Sequence, residues 1–113
     1  MRAYERLLNY VRVYTESSES TGVTPSTPGQ WDLARQLRDE LTALGLSDVK
    51  LDERWCIVTA CLPATPGCEG APALGLLAHM DTAPAFSGKD VNPILHPEYD
   101  GGDVALPKEG RVI

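Results

Sequence analysis

The sequence predicts a mixed α/β fold, the first part of a layered structure in which helices lie over a sheet. Two stretches with apolar residues at steps of three and four come first, and short alternating or continuous apolar runs follow. No further helical pattern closes over those runs, so the chain reads as the opening of a larger α/β layer.

Residues 1–14 set Tyr4, Leu7, Leu8, Val11 and Tyr14 on one side of Glu5, Arg6, Asn9 and Arg12, which predicts an amphipathic helix. Residues 15–28 are dense in Ser and Thr, follow neither period, and read as a plain connecting loop. Thr27, Pro28, Gly29 and Gln30 then combine a hydroxyl N-cap, a first-turn proline and a Gln at N3, the pattern of a capping box. From there Trp31, Ala34, Leu37, Leu41 and Leu44 form a core-facing stripe, and Gly45 supplies the left-handed residue that ends the helix.

Residues 48–53 alternate and residues 56–62 are β-rich, so the two are expected to pair as a hairpin. Pro63, Pro66, Gly67, Gly70 and Pro72 mark a loop. The continuous apolar run from Ala73 to Ala78 predicts a strand buried on both faces, against which the Trp31, Leu37 and Leu41 face should pack. Beyond it, residues 83–113 hold Pro84, Pro93, Pro97 and Pro107 with short apolar pieces, and Arg111-Val112-Ile113 reads as the start of another strand.

With 113 residues, 10 basic and 16 acidic side chains and a net charge of −6, the chain has the make-up of one soluble domain. Its longest apolar stretch, Ala71 to Ala78, falls far short of the roughly 20 residues of a membrane span. Glu5, Arg6, Asn9 and Arg12 interrupt any signal-peptide core, so a cytoplasmic location is expected. The acidic balance disfavours nucleic acid and anionic membranes and favours a small-molecule or peptide partner. Cys56, Cys61 and Cys68 match no zinc-ribbon spacing and read as reduced structural thiols, the first two on opposite faces of their strand.

P-loop, GxGxxG, GxSxG and HExxH patterns are all missing from the sequence. What stands out is His79-Met80-Asp81 at the carboxyl end of the predicted buried strand, where α/β proteins build their sites. A divalent metal takes a neutral imidazole, whose second ring nitrogen favours a carboxylate partner, and Asp81 lies two positions away on the same side of an extended chain. The competing reading is an ordinary polar residue at a sheet rim. One imidazole cannot hold zinc by itself, and His96, in Leu95-His96-Pro97, has a loop context and reads as a non-ligand.

Three segments then carry a resemblance: TPSTPGQWDLARQLRDELTALGLSDVKLDE, LLAHMDTAPAFSGKDVNP and YDGGDVAL. Together they resemble the N-terminal part of the aminotripeptidase branch of the M20 zinc peptidases, along essentially the whole chain. The resemblance implies a three-layer α/β/α catalytic domain of which residues 1–113 are the N-terminal portion, the rest of that domain and a lid domain lying beyond Ile113. It implies His79 as a ligand to one of two zinc ions and Asp81 as the active-site carboxylate that orients it. It also implies release of the N-terminal residue from tripeptides, an inactive isolated chain, and a full-length enzyme that could form a homo-oligomer. The bridging carboxylate, the general base and the other ligands are expected beyond Ile113. Another M20 dipeptidase or deacylase, or a non-catalytic interaction domain, are the rival readings. One departure is local: members usually carry a glycine in the turn that here reads Glu53-Arg54-Trp55-Cys56, so this hairpin needs another turn conformation.

Overall fold

The computed structural model describes residues 1–106 and 110–113; Pro107, one of the expected loop prolines, lies outside the described residues. Among these, helix α1 spans Ala3–Tyr10, helix α2 Pro28–Ala43, and strands β1 to β4 span Ser47–Asp52, Ile57–Cys61, Ala105–Leu106 and Arg111–Val112. The architecture is mixed α/β, with two antiparallel two-stranded sheets, β1-β2 and β3-β4.

Helix α1 stops at Tyr10, short of the expected Tyr14, and the Glu5 carboxylate accepts the backbone N–H of Arg2 at its start. An ion pair between Arg6 and Glu40 ties it to α2. Helix α2 ends as expected at Gly45, whose φ is +81°. There Gly45 N–H donates to Thr42 and Leu46 N–H to Leu41, the paired bonds of a Schellman ending.

The start of α2 departs from the capping box. Thr27 makes no side-chain cap; its hydroxyl donates to the Glu16 carbonyl at 2.8 Å, and Gln30 Nε2 donates to the Thr15 carbonyl at 3.4 Å and to Ser26 Oγ at 3.1 Å. Both side chains therefore serve backbone and hydroxyl acceptors of the preceding loop.

α2 packs on β1 and β2. Its buried residues are Gln30, Leu33 and Ala34, while Trp31, Leu37 and Leu41 are half-buried and Leu44 is exposed. The buried face is thus turned from the expected stripe toward Leu33, because the helix meets the hairpin on one side and the Thr15 loop on the other.

The hairpin forms with Leu51 opposite Val58 and Asp52 opposite Ile57, and with an irregularity between Ser47 and Lys50. Its glycine-free turn is closed by Asp52, whose Oδ1 accepts the N–H groups of Arg54 at 2.8 Å and Trp55 at 3.0 Å. Cys56 takes the left-handed conformation, φ +56°, and is buried in that turn, whereas Cys61 and Cys68 are exposed; all three thiols are free.

The largest correction concerns residues 73–78. They form no strand, and Leu74, Leu76 and Leu77 are 84%, 87% and 98% exposed. The Trp31, Leu37 and Leu41 side of α2 therefore does not rest on a sheet containing them. A doubly buried strand needs hydrogen-bonded neighbours and a layer on each face, and no described residues supply either. The run instead borders an open groove of about 1380 Å³, with Leu41, Cys56, Val58 and Leu62 among the residues on its walls. Arg111-Val112 does form a strand, as read, and pairs with Ala105–Leu106 in a local hairpin.

Candidate active site

His79 and Asp81 project from the end of the 71–81 segment and are among the residues lining the groove. His79 Nδ1 lies 3.1 Å from Asp81 Oδ1, with the imidazole 82% and the carboxylate 40% exposed. In a neutral ring with Nδ1–H donating to the carboxylate, the Nε2 lone pair is left free. The expected juxtaposition is therefore present, between residues two apart in the chain.

No group of three or more His, Cys, Asp or Glu side chains able to hold a metal occurs among the described residues. The chemistry of the pair suits one imidazole donor with its orienting carboxylate. It is a portion of a donor set and not a whole one. His96 lies in an exposed loop.

The segment is anchored just past Asp81. Thr82 and Glu16 form a parallel bridge, in which Thr82 N–H donates to the Thr15 carbonyl at 3.2 Å and Ser17 N–H to the Thr82 carbonyl at 2.9 Å. Ser17 Oγ also donates to the Thr82 carbonyl at 3.2 Å, and the Glu16 carboxylate accepts Gly88 N–H at 3.2 Å. Thr15 is buried; the neighbouring Tyr14 is exposed, and partial desolvation followed by the Glu16 charge raises its phenol above its ordinary pKa. Thr15, Glu16 and Ser17 belong to the stretch read as a plain connector, so their part in holding the site is a finding of the structure. The signal available in the sequence was the density of hydroxyl side chains, which favour local backbone partners.

No protein-family model matches the chain. By sequence, however, the chain is similar to proteins named as peptidases. More particularly, it is similar to the N-terminal part of peptidase T. Peptidase T of Geobacillus kaustophilus is 48% identical over 109 residues, 96% of this chain and 26% of that protein. Peptidase T of Caldanaerobacter subterraneus is 46% identical over 112 residues, 99% of this chain and 27% of that protein. Peptidase T of Edwardsiella ictaluri is 50% identical over 102 residues, 90% of this chain and 24% of that protein. The chain thus spans about a quarter of the length of the relatives it matches.

Proposed function

We propose that this chain carries part of the active site of a zinc-dependent aminopeptidase that releases the N-terminal residue of tripeptides. His79 is the metal ligand and Asp81 the carboxylate that orients it. The observation that supports this most directly is the 3.1 Å contact between His79 Nδ1 and Asp81 Oδ1, made in a chain similar to peptidase T.

The carboxylate holds Nδ1–H, so the imidazole presents Nε2 as a donor in a defined direction. A pair of zinc ions, when bound, supplies Lewis acidity toward the scissile carbonyl and lowers the pKa of a bound water. This chain contributes one donor to such a centre, the others and a general base coming from outside the 113 residues. The same reading makes residues 1–113 a portion of a three-layer α/β/α catalytic domain, working on small peptides in the cytoplasm. In that setting Leu74, Leu76 and Leu77 become covered. By itself the chain is inactive, because one ligand and its orienter neither retain two metals nor activate water.

The test is a chimera in which this chain replaces the corresponding quarter of Geobacillus kaustophilus peptidase T. Zinc-dependent tripeptide hydrolysis by the chimera, and none by the isolated chain, is the expected result. A folded chimera that binds no zinc and leaves tripeptides intact would overturn the reading.

A further inference from the structure

We propose that Glu16 is a positioning residue for the His79–Asp81 pair, acting by closing the loop from Thr82 to Gly88 at its base. The proposal deepens the peptidase reading and rests on it for the role of His79, although the clamp itself is a metal-free property of this chain.

Glu16 holds both ends of that loop. Its backbone is the bridge partner of Thr82, and its carboxylate accepts the Gly88 N–H at 3.2 Å. Gly88 and Thr82 are also in close approach, since a Cβ on Gly88 would lie 2.8 Å from Thr82 Oγ1. Glu16 is itself fixed from behind, because its carbonyl accepts the Thr27 hydroxyl at the start of α2. The support runs from α2 through Glu16 to Thr82, the residue that follows Asp81.

Nothing equivalent holds the other side of the pair. Residues 72–81 make no backbone–backbone hydrogen bond among the described residues, and Leu74, Leu76 and Leu77 stand in solvent. The direction of the Asp81 carboxylate, and through it the tautomer and aim of the His79 ring, therefore depends on how firmly Thr82 is anchored. An acceptor on a long side chain meets the need: it reaches Gly88 while its own backbone occupies the bridge.

The test uses the 113-residue chain, ¹⁵N-labelled and without metal, with Glu16→Asp, Glu16→Gln and Glu16→Ala. Aspartate keeps the charge but is one methylene too short, whereas glutamine keeps an acceptor oxygen at the same reach. We expect Glu16→Asp and Glu16→Ala to speed Gly88 amide exchange by about tenfold, the scale of losing one such bond. The His79 ring ¹⁵N shifts should then move from the Nδ1–H form toward a tautomer mixture, while Glu16→Gln keeps both signatures. Unchanged Gly88 exchange in Glu16→Asp, faster exchange with unmoved His79 shifts, or loss of both signatures in Glu16→Gln would each overturn the proposal. Were Glu16→Ala to unfold, the Asp and Gln variants decide. Neither readout involves metal, so an intact clamp in a chain whose chimera takes up no zinc would discard the peptidase reading alone.

Discussion

Gly29 and Tyr14 approach so closely that a Cβ on Gly29 would overlap the Tyr14 carbonyl oxygen. The first turn of α2 is thereby laid directly on the loop whose next three residues anchor Thr82. Gly29→Ala should cost about 1–3 kcal/mol, the range for overpacking against atoms that cannot move aside. Gly45→Ala is the comparison: it meets open space and suffers only the penalty of a left-handed φ of +81°, about 1–2 kcal/mol. Chemical denaturation gives both losses. Amide shifts of Thr15 and Thr82 should move in the Gly29 variant and stay put in the Gly45 variant.

The core of the chain is small and centred on α2, with Leu33 6% exposed and Ala34 fully buried. Leu33→Ala should destabilise by about 2–5 kcal/mol through lost burial and a residual cavity. Leu77→Ser, at a side chain 98% exposed, should change stability by less than about 0.5 kcal/mol. A loss at Leu77 comparable to that at Leu33 would mean that the 73–78 run is covered in solution.

Thiol labelling should separate the three cysteines. Burial raises the Cys56 pKa above its ordinary value, an effect only partly opposed by Arg35, while Cys61 and Cys68 are exposed. Since the thiolate is the reactive form, an alkylating reagent near neutral pH should modify Cys61 and Cys68 quickly and Cys56 slowly. Unfolding in denaturant should abolish the difference. Mass spectrometry of timed digests reads all three sites.

In the chimera with Geobacillus kaustophilus peptidase T, His79→Ala and Asp81→Asn should both impair hydrolysis, by different routes. Loss of the imidazole removes a donor, so bound zinc should fall. The amide leaves the donor in place but weakens its orientation, for which losses of about 10 to 100-fold in affinity or activity are usual. Asp81→Asn should therefore retain more zinc than His79→Ala. Normal turnover with a lowered melting temperature would instead make Asp81 a structural residue of the turn.

Local pattern was enough for the elements whose stability is local. Helix α2 with its Gly45 ending, the β1-β2 hairpin and a strand at Arg111-Val112 were all legible, because period, turn chemistry and helix stops act within a few residues. The His79–Asp81 contact was legible for the same reason, being a relation between residues two apart. Tertiary structure decided the rest. Thr27 and Gln30 had an equally good local use as a helix cap, yet the carbonyls of Thr15 and Glu16 lay within their reach and took them. The run from Ala73 to Ala78 has the composition of a buried strand, but burial depends on partners supplied by other segments, and none of the described residues covers it. The bridge from Glu16 to Thr82 joins positions far apart in the chain, and no local preference of either residue encodes that meeting; it exists only once the tertiary structure has brought the two segments side by side.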